Sequence, residues 1–108
     1  MQNKKANSDL EVIITEAEKN GIKSDKLVTK IQEVRELAKL ENDPLVTRAL
    51  RLTWQHLESN GGFTIPLAEE IESAEENFTY FLSLCIRCEN EINREELREM
   101  TNSLQELA

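Results

Sequence analysis

Histidine occurs once in these 108 residues, at His56, and cysteine only twice, at Cys85 and Cys88. A structural zinc site takes about four such ligands, so zinc chemistry is short of donors. Aspartate is confined to Asp9, Asp25 and Asp43, without the spacing of a calcium loop. Four-helix di-iron centres use Glu-x-x-His pairs, but the residue three before the lone histidine is Thr53. Glycine is equally scarce, and Gly61-Gly62 lacks the spaced glycines and the Lys-Ser/Thr of a phosphate-binding loop. The longest apolar run near the start is Val12-Ile13-Ile14, too short for a secretory leader even with Lys4 and Lys5 before it. Nothing approaches a membrane span. With two cysteines and no export signal, the expected compartment is the cytoplasm. No catalytic, cofactor or metal constellation emerges, and an enzyme is not expected.

What is present in quantity is acid. Residues 1–40 hold eight Lys/Arg against seven Asp/Glu, whereas residues 41–108 hold five against fourteen. Every lysine lies at or before Lys39, and the formal net charge is −8. Such a surface repels phosphate backbones, which argues against nucleic-acid binding. It favours solubility or a basic protein partner.

Few glycines and prolines, with abundant Glu, Leu, Lys and Arg, select helix over strand. The helix signals are legible along the chain. Ser8-Asp9-Leu10-Glu11 reads as a capping box opening a first helix, which carries Leu10, Ile13, Ile14 and Ala17 and stops at Asn20-Gly21. Ser24 opens a second, with Leu27, Ile31, Val34, Leu37 and Ala38 on its stripe. Asp43 and Pro44 then read as the N-cap and first residue of a third. Its apolar residues cover a little over half the circumference, as in a helix packed between two others. It ends at Asn60-Gly61-Gly62.

From Leu67 through Ile71, Ala74, Phe78, Phe81, Cys85 and Cys88 to Ile92, apolar residues alternate at steps of four and three. This heptad seam predicts one long fourth helix over about residues 65–91, capped by Thr64. Leu97, Met100, Leu104 and Leu107 form a fresh stripe, rotated by about a third of a turn. The change predicts a break near 90–93, with Asn93 and Glu96 as cap and Ile92 stapled onto Leu97; the alternative is a single unbroken helix to the C-terminus that changes partners midway. The expected fold is an all-α, antiparallel up-and-down bundle of four to five helices, over about 8–20, 24–41, 44–59, 65–91 and 94–107. Residues 1–7 are expected to be a disordered tail ahead of a single domain, 8–108. Phe78, Phe81, Ile71, Leu52, Ala49, Val34 and Ile31 are expected in the core.

Cys85-x-x-Cys88 falls mid-helix on the seam and reads as two small buried hydrophobes rather than a redox pair at a helix N-terminus. His56 projects into the apolar arc of the third helix as a buried or boundary residue. Beyond Phe81 and Cys88, the flank formed by Tyr80 and Leu84 widens the apolar surface past what one seam needs. With Leu97 and Leu104 it makes a candidate self-association stripe. Glu69, Glu72, Glu75 and Glu76 project away from the seam as a candidate acidic face for a basic partner.

The order of short helix, longer helix, Pro-started helix and Phe-Thr-started helix resembles the class IIa bacteriocin immunity proteins, which are small cytoplasmic four-helix bundles. The matching residues are Asp43-Pro44-Leu45-Val46-Thr47-Arg48 and Phe63-Thr64. The leading expectation for function is a non-enzymatic interaction or regulatory module, self-associating as a homodimer. The alternative is an immunity- or antitoxin-like protein that neutralises a basic partner through its acidic face. Neither involves nucleic acid, membrane or a small-molecule substrate.

Overall fold

The computed structural model describes residues 1–22, 24–63 and 73–107. The described residues form five helices: α1 (Lys4–Asn20), α2 (Ser24–Leu40), α3 (Pro44–Asn60), α4 (Ala74–Ile86) and α5 (Glu91–Leu107). Among the described residues there is no strand. The all-α bundle expected from sequence is what the structure shows.

Local chemistry sets most of the boundaries. Asp43 accepts from the Val46 amide at 3.3 Å, and Pro44 begins α3 with no amide to leave unpaired. Gly61, at φ +68°, closes α3 in the left-handed conformation, its N–H donating to Leu57. Asn42, at φ 54°, makes the turn from α2 to α3, a conformation asparagine tolerates better than most residues.

Three boundaries differ from the sequence expectation. First, residues 1–7 are not a disordered tail: Asn3 caps α1 by accepting from the Ala6 amide at 2.9 Å. Buried Ala6 extends the stripe Leu10, Ile13, Ala17 by one more turn, so Ser8 lies inside the helix rather than at its start. Met1 is itself buried, its amino group donating to the carbonyls of Cys85 and Ile86 at the end of α4. Second, the fourth helix does not run from 65 to 91. Ser73 is extended (φ −78°, ψ 134°) and its hydroxyl accepts from the Glu76 amide, so α4 starts at Ala74. Ser73-Ala74-Glu75-Glu76 has the spacing of a capping box, a local signal that the heptad period runs straight through. Thr64, Leu67 and Ile71 lie outside the described residues. Third, the break falls at residues 87–90, and Asn90 rather than Asn93 caps α5, accepting from the amides of Ile92 and Asn93. Ile92 is 78% exposed, which removes it from the seam and from the staple onto Leu97.

The helices close into a ring in the order α1, α2, α3, α5, α4, with α4 against α1. Met1 at the end of α4, and Gly21 beside Glu75 at its start, set α1 and α4 antiparallel. A ring of five alternating elements must contain one like-directed pair. Here it is α3 and α5, whose N-termini are joined by Asp43 and Arg94 at 2.9 and 3.0 Å.

The core is aliphatic with one aromatic node. Phe63, just past α3, stacks near Phe78 and Phe81 of α4 with ring centres 5.5 and 6.3 Å apart. Phe78, Phe81, Leu52, Ala49, Val34 and Ile31 are buried as expected. The hydroxyls of buried Thr53 and Thr101 donate to carbonyls one turn back, at Ala49 and Leu97, so neither leaves an unmet bond.

Candidate functional site

The apolar stripe proposed for self-association is not a surface. Leu84, Leu97 and Leu104 are buried and Tyr80 is half-buried against the core. The cause is the tight 87–90 turn, which folds α5 back along α4 so that the two apolar stripes cover each other. Heptad spacing reports which face of a helix is apolar, but not which element covers it.

Of the acidic candidates, Glu75 and Glu76 are exposed in the first turn of α4, where the helix dipole favours anions. Glu69 and Glu72 lie outside the described residues. The sequence reading missed a longer acidic row on the next helix. Glu91, Glu95, Glu99 and Glu106 are all exposed and share the face of α5 opposite Leu97, Met100, Thr101 and Leu104. Glu95 pairs with Arg98 at 2.8 Å; Glu91, Glu99 and Glu106 have no ion-pair partner among the described residues.

Beside that row, on α3, runs the opposite charge. Arg48 donates to the neutral side-chain oxygens of Gln105 and Asn102 at 2.7 and 2.9 Å, and has no carboxylate partner among the described residues. Arg51 lies one turn further along the same outer face. Its Nε is buried without an acceptor, as are Arg35 Nε and Trp54 Nε1 where α2 meets α3. Buried donors left unmet cost about 1–3 kcal/mol each.

Cys85 and Cys88 are both buried, and burial pushes both thiols up, favouring the protonated form over the nucleophilic or metal-binding thiolate. Cys88 sits beside the most organised polar cluster of the fold. There the Arg94 guanidinium forks onto Asp43 and holds the Asp43 carboxyl below its ordinary value, while Arg94 Nη1 also donates to the Cys88 carbonyl at 3.5 Å. His56 is buried edge-on to Phe63, with Asn60 Nδ2 3.1 Å from its Nδ1, and burial lowers its pKa. No cluster of three or more His, Cys, Asp or Glu side chains suited to a metal occurs among the described residues. No helix there is long and apolar enough to cross a membrane.

Comparison with family models, with curated proteins and with solved structures finds no match to this chain. The resemblance to the bacteriocin immunity proteins therefore rests only on the residues quoted for it.

Proposed function

We propose that this chain is a non-enzymatic, cytoplasmic protein-interaction module that engages a basic protein partner through the acidic outer surface of α4 and α5. The observation that carries this reading is the division of the molecule. Among the described residues most large apolar side chains are inside the bundle, with Val12, Leu40 and Ile92 exposed, while Glu75, Glu76, Glu91, Glu95, Glu99 and Glu106 all stand exposed on two adjacent helices. Charges placed this way speed and orient the approach of a basic partner. An immunity- or antitoxin-like role is one form of this reading, with the acidic surface masking a basic toxin.

The test is retention of a partner from cell extract on the immobilised chain at about 0.1 and 0.5 M salt, across which exposed charge attraction is strongly screened. The expected result is a basic protein held at the lower salt, released at the higher, and not retained by the Glu91→Lys, Glu95→Lys, Glu99→Lys variant. A partner retained equally by the variant overturns the reading.

A further inference from the structure

Apart from Asp43 and Arg94, no ion pair joins α3 to α5 among the described residues, although arginines stand on one and glutamates on the other. The two helices are neighbours running in the same direction, and in-chain contacts fix their relative height. Asp43 at the start of α3 meets Arg94 near the start of α5, and Arg48 reaches Asn102 and Gln105 further up. Arg48 and Arg51 therefore stand at about the level of residues 99–106. Glu99 and Glu106 lie at that level too, exposed and without an ion-pair partner among the described residues.

We propose that two copies of the chain pair about a two-fold axis parallel to the helices, seating each α3 arginine strip on the α5 glutamate row of the other copy. A two-fold in that direction exchanges α3 and α5 across the interface while preserving height and helix direction. Arg48 and Arg51 of one copy then face Glu99 and Glu106 of its partner, and the reverse pair forms on the other side of the axis.

Size and charge set the strength. Each 17-residue helix is about 25 Å long. Two of them side by side offer a face of roughly 500 Å² per copy, near the lower edge of specific interfaces. Each copy also carries a net charge of −8, which opposes association. At about 0.15 M salt the screening length is about 8 Å, so whole-molecule repulsion is damped while direct Arg–Glu contacts persist. The dimer is therefore weak and reversible. It occupies part of the acidic surface assigned above to a basic partner, but it does not depend on that assignment.

Sedimentation equilibrium of the full chain, over loadings from about 10 to 500 μM at about 0.15 M salt, decides the matter. The mass is expected to rise from 12.4 kDa towards twice that value. The Arg48→Glu, Arg51→Glu variant and the Glu99→Arg, Glu106→Arg variant should each stay monomeric, because like charges then meet. Their equimolar mixture should dimerise again, since opposite charges face each other on both sides of the axis. A wild-type chain that stays monomeric throughout overturns the proposal. So does either variant dimerising like wild type, or a mixture that fails to associate. If a double variant loses helix by circular dichroism, Arg51→Gln and Glu106→Gln are the substitutes. Each should weaken dimerisation several-fold, and an unchanged dissociation constant overturns the proposal equally. A monomer that still captures a basic protein removes the dimer alone, and a dimer that captures none removes the proposed function alone.

Discussion

Asp43→Asn isolates one charge at the most connected polar position of the fold. Asp43 Oδ1 accepts from the Val46 amide, and both carboxylate oxygens take the Arg94 fork at 2.9 and 3.0 Å. Asparagine is as good an N-cap as aspartate, so the substitution keeps the cap and the shape and removes only the charge-assisted pairing. Hydrogen bonds to charged groups contribute about 1.5–3 kcal/mol, and the partial exposure of both side chains argues for the lower part of that range. A loss of about 1–2 kcal/mol is expected at pH 7 by urea denaturation followed by far-ultraviolet circular dichroism. Asp43→Ala, which also removes the cap, should lose about 1 kcal/mol more.

The pH dependence supplies an internal control. The folded carboxyl titrates below its ordinary value, so its contribution is complete above the unfolded pKa of about 3.9. That contribution is lost as pH falls through the lower folded value. The gap between wild type and Asp43→Asn should therefore be constant near neutrality and close in acid below about pH 4. A gap under about 0.3 kcal/mol at pH 7, or one that does not narrow in acid, refutes the assigned role of the ion pair.

Phe81→Ala should cost about 3–5 kcal/mol in the same assay, because Phe81 is fully buried beside Phe63; a loss under about 1 kcal/mol would place it outside the core. Ser73→Ala should cost about 1 kcal/mol, with Ser73→Asp near wild type, since the hydroxyl is needed only as an acceptor for the Glu76 amide. Burial lowers the His56 pKa, so below the unfolded value of about 6.5 the unfolded chain binds a proton that the folded chain resists. The urea midpoint should accordingly fall between pH 7 and 5, and His56→Gln should flatten that slope; an equal slope in the variant refutes the attribution.

Helix existence was legible in the sequence wherever punctuation and period agreed. Asp43-Pro44 and Asn60-Gly61 bracket α3 as expected, and Leu97, Met100 and Leu104 form the buried stripe of α5. Errors arose where two local rules competed. The heptad from Leu67 to Ile92 looked continuous because small Ala74 occupied a seam position, but Ser73 caps a new helix there, leaving Ala74 and Ile92 exposed. At the start of the chain, Ser8 offered a capping box and Asn3 another cap; burial of Ala6 under the second fixed the longer helix. The arginine strip was harder to see. Arg48 and Arg51 look like ordinary outer residues until the ring order places them beside the glutamates of α5, and a five-helix order cannot be read from spacing.

An even antiparallel bundle cancels its helix dipoles pairwise; this odd ring leaves one over. Three helices, α1, α3 and α5, begin at the end of the molecule where α2 and α4 finish. A residual of roughly half a positive charge at that end, and half a negative charge at the other, is the electrostatic consequence. Asp43 stands between the adjacent starts of α3 and α5, where two of those positive poles lie side by side. Moving the same aspartate and arginine to the opposite end would set them against helix C-termini, where the carboxylate would be repelled. The ion pair therefore draws on the fields of those two adjacent helix starts, which fade within about one turn of each end.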